Sequence, residues 1–311
     1  MKNLIDRFGR VHNYLRLSVT DKCNFNCFYC NPSSFKVCNR FKQDILSYEE
    51  LLRLIKIFSK ELNFKKFRFT GGEPLLRRGF IDFLKTVNEF KKSQNFELDL
   101  TTNGFLLDEF LPDLKNNGID RINISLDTLI RDKFVKITGV DAFDKVLKAI
   151  FLAKEIGYSP LKINTVIIKG LNDDEIYDFT EFAINNSINV RFIEYMPFSS
   201  NQWDSQDFIN YQDMRKVVES KYDLIPIIDN DNSVSKNYRI KNSDTMISFI
   251  SSISEHFCNT CNRVRISANG EFRLCLFTNG ESSLNFRDMF RSNLSDGQII
   301  EILRKTILGK W

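Results

Sequence analysis

Hydrophobic positions along the chain fall into two rhythms. Runs at 14–19, 66–70, 97–101, 121–126, 162–168 and 189–195 read as strands, and helical apolar spacing follows at 48–61, 80–92, 108–116, 142–156 and 173–186. Strand and helix alternate, which predicts an α/β fold with a parallel sheet and its helices outside. Six strands of this kind make an incomplete (β/α)6 TIM-like barrel, whose chemistry gathers at the C-terminal ends of the strands. The pattern changes near Pro197: 198–237 reads as polar and irregular, and a Cys-rich unit follows at 258–275. The expected organisation is therefore a barrel over 1–197 and a C-terminal extension over 198–311 that closes its open side.

Composition narrows the class. At 311 residues with 42% apolar content, the chain can bury a sizeable core. The net charge of +4 (44 − 40) suits a small anionic substrate and does not call for nucleic acid. Seven cysteines are an odd number, and the opening residues hold no apolar targeting segment, so a secreted disulfide framework is not expected. No apolar stretch is long enough to span a bilayer. The expected location is the cytoplasm, with no membrane partner.

The unusual residues stand at predicted strand ends. Cys23-x3-Cys27-x2-Cys30 follows the first strand. Three thiolates hold a [4Fe–4S] cluster with one iron left open, whereas zinc would need a fourth donor, for which Cys38 is the nearest. Gly71-Gly72-Glu73-Pro74 follows the second strand and permits close backbone approach to a ligand, or forms an ordinary turn. Thr101-Thr102-Asn103-Gly104 follows the third, and Ser125-Leu126-Asp127 ends the fourth. A second triad, Cys258-x2-Cys261-x13-Cys275, suits either another open cluster or, with His256, a zinc ribbon. Arg263 and Arg265 share one strand face, ready for forked hydrogen bonds to an anion or base edge, or else for solvent. Arg16, Arg68, Lys162 and Arg191 lie in strands. Pointing inward, they would be costly buried cations without a polyanion; pointing outward, they would be solvated.

The run CNFNCFYC resembles the signature of the radical S-adenosylmethionine (SAM) superfamily. The run FCNTCNRVRISANGEFRLCL, with YLRLSVTDKCNFNCFYC, FRFTGGEPLLRR, LTTNG, INISLDTL, LKINTVIIKGLNDDEI and RFIEYMP, resembles the molybdenum cofactor biosynthesis protein A (GTP 3′,8-cyclase) family over nearly the whole chain. The resemblance implies two [4Fe–4S] clusters, held by Cys23, Cys27 and Cys30 and by Cys258, Cys261 and Cys275. It implies SAM contacts at Tyr29, Gly72, Ser125 and Met196. Its GTP contacts are Arg16, Lys66, Arg68, Thr101, Lys162, Arg191, Arg263 and Arg265, with the guanine at the open iron of the second cluster. The implied reaction begins with abstraction of the ribose 3′ hydrogen by a 5′-deoxyadenosyl radical, and C3′ then joins C8; no side-chain base is required. The implied partners are GTP, an external flavodoxin- or ferredoxin-type electron donor and a downstream cyclic pyranopterin monophosphate synthase; a homodimer is compatible. Asn31-Pro32 replaces the family's Met-Pro, its closing Gly-Gly has no match in Gly309-Lys310-Trp311, and Cys38 is expected to be a spectator. The competing readings are a peptide-modifying radical SAM enzyme and a non-catalytic zinc-binding protein.

Overall fold

The computed structural model describes residues 2–30, 44–198, 201, 203–228, 233–277 and 284–310. Two short strands, β1 (Leu4–Ile5) and β2 (Val11–His12), form an antiparallel pair. Six strands then match the predicted runs: β3 (Tyr14–Ser18), β4 (Lys66–Thr70), β5 (Glu97–Thr102), β6 (Arg121–Ser125), β7 (Lys162–Ile167) and β8 (Asn189–Glu194). They pair in parallel in chain order. Their pattern explains the arrangement. In β7, Ile163, Thr165 and Ile167 are buried and alternate with half-buried Lys162, Asn164 and Val166. With a period of two, one set packs under the helices and the other faces inward.

Helices α1 (Tyr48–Lys56), α2 (Phe80–Lys91), α3 (Leu107–Asn116), α4 (Arg131–Thr138), α5 (Phe143–Glu155) and α6 (Ile176–Asn186) punctuate the strands. Ser47 and Glu50 form a capping box at α1, satisfying amides that the first turn leaves open, and Leu51, Leu54 and Ile55 bury one face. The predicted helix over 48–61 continues beyond α1 as a π-helical turn, Ile57–Glu61. The short helix α4 lacks a predicted counterpart; Gly139, at φ 73°, ends it.

The expected irregular segment 198–237 is corrected by the structure. It holds helix α7 (Tyr211–Glu219), strand β9 (Leu224–Ile227) and the start of β10 (Lys236–Ile240). Strands β11 (Met246–Ile250), β12 (Arg263–Ile266) and β13 (Phe272–Arg273) follow, then α8 (Phe286–Arg291) and α9 (Asp296–Ile307). Strand β11 pairs in parallel with β8, and β12 in parallel with β3. One sheet thus runs β13-β12-β3-β4-β5-β6-β7-β8-β11-β10-β9, mostly parallel, with antiparallel strands at both ends. Glu194, fully buried at the end of β8, accepts hydrogen bonds from Tyr211 N (2.9 Å), Ile253 N (2.8 Å), Ser254 N (3.0 Å) and the Ser254 hydroxyl. That carboxylate ties α7 and the segment before the second triad to the parallel strands. Among the described residues, no helix is long and apolar enough to cross a membrane.

Candidate active site

The inward faces of the sheet enclose a cavity of about 570 Å³. Strand register sets its lining. Arg265, Arg16 and Arg68 are neighbours across β12, β3 and β4. Thr101, Asn123 and Lys162 are neighbours across β5, β6 and β7, as are Ser125, Asn164 and Arg191 across β6, β7 and β8. Among the described residues the lining carries eight Arg and Lys side chains (Arg16, Lys66, Arg68, Arg121, Lys162, Arg191, Arg263 and Arg265) and no carboxylate.

The cations are held differently. Arg68 is not the unpaired cation expected for an inward position: its guanidinium meets the Asp99 carboxylate, the Tyr14 hydroxyl at 2.5 Å and Thr101 Oγ1 at 3.2 Å. Lys66 is also paired, at 3.2 Å from Glu97 and 3.1 Å from Asp99. These carboxylates sit on the strand next to their partners, which sequence spacing alone does not reveal. By contrast, Arg16 Nε and Arg263 Nε are buried without a hydrogen-bond partner among the described residues. Burial and neighbouring Arg265 pull the Arg16 guanidinium well below its ordinary range. Burial, with Arg191 and Arg121 next, pushes Lys162 down to about 8, and burial with Arg263 pushes Arg265 down to about 10. Cations that depress one another this way stabilise a polyanion placed between them.

The second triad lies at one edge of this cavity. Cys258 and Cys261 precede β12, which runs parallel to β3, so they stand at the N-terminal edge of the parallel strands. Strand β13 runs back antiparallel and delivers Cys275 to the same edge. All three line the cavity, as does His256.

The first triad stands at the opposite, C-terminal edge, on the loop after β3. Gly71 and Gly72 matter here for a different reason than ligand approach. A Cβ on Gly72 would stand 2.0 Å from the Lys22 carbonyl oxygen, and one on Gly71 2.6 Å from that of Thr20. The glycines therefore let the loop after β4 nest against the root of the cysteine loop, with Gly72 N bonded to Thr20 O and Glu73 N to Lys22 O. Glu73 is fully buried; its side chain accepts from Leu75 N, Asn103 N and the Thr102 hydroxyl. Asn103 Nδ2 reaches Asn24 Oδ1 at 2.9 Å and Cys23 Sγ at 3.7 Å. Tyr29 donates its hydroxyl to Asp127 at 2.6 Å, and its carbonyl accepts from Asn201, which also bonds the Met196 carbonyl. Burial, then the charges of Asp127, Cys30 and Cys23, raise the Cys27 thiol well above its ordinary range.

The cavity thus gathers the second triad with Arg16, Lys66, Arg68, Thr101, Lys162, Arg191, Met196, Arg263 and Arg265. Cys23, Cys27, Cys30, Tyr29, Gly72 and Ser125 are not in its lining; they cluster at the strand ends above it. Cys38 lies outside the described residues. Sequence reasoning missed Arg121, Asn123 and Asn164, although the signal was present: they continue, at two-residue spacing, the strand faces of Ser125 and Lys162. It also missed Tyr14, which lies on the same strand face as Arg16.

Comparison with known proteins agrees with this geometry. Residues 17–183 match the radical SAM superfamily, and 188–310 match the molybdenum cofactor synthesis C family. The chain is 43% identical over 309 residues to a mitochondrial GTP 3′,8-cyclase of Arabidopsis thaliana, covering 99% of this chain and 77% of the relative. It is 37% identical over 308 residues to a GTP 3′,8-cyclase of Petrotoga mobilis, covering 99% and 93%. Identity to the molybdenum cofactor biosynthesis protein moc-5 of Caenorhabditis elegans is 42%, over 98% of this chain but 50% of that one. The chain spans about half the length of several curated relatives it matches. Among solved structures, SuiB of Streptococcus suis superposes with a TM-score of 0.67 at 16% identity, covering 95% of this chain and 69% of that one, a likeness of fold. By sequence over nearly its whole length, the chain belongs to the radical SAM superfamily and, within it, to the GTP 3′,8-cyclase family of molybdenum cofactor biosynthesis.

Proposed function

We propose that this chain converts GTP to (8S)-3′,8-cyclo-7,8-dihydroguanosine 5′-triphosphate, the first step of molybdenum cofactor biosynthesis. The observation that carries this function is the cavity lined, among the described residues, by eight cations and no carboxylate, with three cysteines at one edge and the cysteine loop of the superfamily above the other. A radical SAM protein uses a [4Fe–4S] cluster and SAM, which supply the one-electron chemistry when bound.

The residues present fit these groups. Cys23, Cys27 and Cys30 would hold the first cluster, with Tyr29, Gly72, Ser125 and Met196 toward SAM. Cys258, Cys261 and Cys275 would hold a second. Zinc needs its donors within about 2.0–2.3 Å of one point, whereas the thiolates of a four-iron cluster each take their own iron. We read the second triad as the donor set of such a cluster, three thiolates with one iron left open.

The protein's part is to bind and orient. Lys66, Lys162 and Arg191 would take the triphosphate, with Arg16, Arg68 and Thr101 along the nucleotide. Arg263 and Arg265 would present forked donors beside the second triad, where the base would lie. Residues 1–197 would contribute the SAM site and 198–311 the second cluster. An external one-electron donor and a downstream enzyme consuming the cyclised nucleotide would complete the pathway. Cysteines that serve as cluster ligands suit a reducing compartment such as the cytoplasm.

The test is an anaerobic assay of iron-reconstituted protein with GTP, SAM and a strong reductant, monitored for 5′-deoxyadenosine and cyclised nucleotide. Formation of both supports the function; 5′-deoxyadenosine without any GTP-dependent product rejects GTP as substrate.

A further inference from the structure

Both ends of the described chain close on the second triad. From the N-terminal side, Arg10 Nη1 donates to the carbonyl oxygen of Cys258, while its Nε holds Asp6 at 2.5 Å. From the other side comes Lys310, beyond the end of α9. It is 3% exposed, a rare state for a lysine. Its ammonium donates to the carbonyl oxygen of Arg263 and lies 3.7 Å from Cys261 Sγ. Among the described residues its partners are therefore a carbonyl and a thiol, not a carboxylate. The backbone sets this placement: Gly309 N bonds Thr306 O and Lys310 N bonds Ile307 O, turning the chain back over the cysteines.

The contact falls on one thiol, Cys261. Hydrogen bonds to sulfur and nearby charge are what set the potential of an iron–sulfur cluster.

We propose that Lys310 is a positioning residue of the second cluster, donating a charge-assisted hydrogen bond to the Cys261 thiolate and thereby raising the cluster's reduction potential. The inference rests on the second triad carrying a four-iron cluster, as proposed above. Gaining one electron makes the cluster and its thiolates one charge more negative. A cation at hydrogen-bonding distance from a ligand sulfur stabilises that reduced state more than the oxidised one.

The experiment is an EPR-monitored redox titration of the full chain carrying Cys23→Ala, Cys27→Ala and Cys30→Ala, so that the second cluster alone gives the signal. Lys310→Met should retain iron and lower the midpoint, shifting the reduction equilibrium by tenfold or more, about 59 mV for a one-electron couple. Lys310→Arg should restore most of the shift. Full iron with an unchanged midpoint in Lys310→Met overturns the proposal. So does a lowered midpoint that Lys310→Arg leaves uncorrected, since packing and not charge would then be responsible. If Lys310→Met cannot hold iron, Lys310→Gln decides, because it keeps a donor to the Arg263 carbonyl without the charge: a lowered midpoint supports the proposal and an unchanged one overturns it. Absence of any cluster when Lys310 is intact removes the second-cluster assignment itself, a failure told apart by its lack of iron.

Discussion

Arg265 faces the cavity with burial and Arg263 depressing its charge, and among the described residues no carboxylate lines that cavity. Replacement by alanine should weaken GTP binding by about tenfold to a hundredfold, from the roughly 1.5–3 kcal/mol of a charge-assisted hydrogen bond. Nucleotide affinity of the anaerobic Arg265→Ala variant, with iron content checked alongside, measures this; equal affinity at full loading would remove Arg265 from the site. Glu73 gives a pH signature. Burial raises its carboxyl to about 7 against hydrogen bonds from Asn103, Leu75 and Thr102, and burial likewise raises Asp127 to about 6. A carboxyl whose folded value lies above its unfolded one contributes most at low pH, and that contribution is lost as pH rises through the folded value. The cluster-free chain should therefore lose stability between about pH 5 and 7, on the order of 3 kcal/mol from Glu73. Urea midpoints across that range test it, and Glu73→Gln should flatten the decline. At this scale the motif residues were legible because their chemistry is unusual. The carboxylate partners of Arg68 and Lys66 were not, because pairing across β4 and β5 depends on strand register.

Elements differ in how clearly their sequence announces them. Strands β3 to β8 and four of the five expected helices emerged close to their predicted bounds, since long periodic burial leaves a strong signal; the first ended early in its π-helical turn. Helix α7 did not: only Tyr211, Met214 and Val218 are buried in its nine residues, and the rest are polar or exposed enough to pass for a loop. Strand β9 is a largely exposed edge that includes Pro226, a composition that weakens any strand signal. What holds this region in place is Glu194, whose carboxylate satisfies three backbone amides and the Ser254 hydroxyl. Glu194→Ala should destabilise the chain by about 3 kcal/mol or more, because it leaves several buried donors without their charged acceptor. A drop in the urea midpoint, together with lower iron retention at the second triad, is the expected result; an unchanged midpoint would mean that the segment docks by apolar packing alone.

At the scale of the molecule, the parallel pairing of β12 with β3 puts the two cysteine triads at opposite edges of one sheet with the cationic cavity between them. Their functions should then separate. If the first triad holds the SAM cluster as proposed, Cys27→Ser is expected to abolish SAM cleavage, because that cluster would lose one of its three thiolates. Cys261→Ser should leave that cluster loaded and able to cleave SAM slowly without forming cyclised nucleotide. Iron content and 5′-deoxyadenosine yield measure both. Normal cyclisation by Cys261→Ser would make the second triad structural.

The sequence by itself determined the alternating α/β plan, the spacing of the six cysteines and most of the cations that line the cavity, because periodicity and short cysteine spacings are local properties that survive without coordinates. Tertiary structure decided what those groups face. Register paired Arg68 and Lys66 with carboxylates while leaving buried nitrogens of Arg16 and Arg263 without hydrogen-bond partners among the described residues. Close backbone contact assigned Gly71 and Gly72 to the cysteine loop. The fold-back after α9 carried Lys310 to Cys261, 49 residues away in the chain, a separation that no local pattern reports. These are contacts between distant segments, and only the packing of the sheet and its extension brings them together.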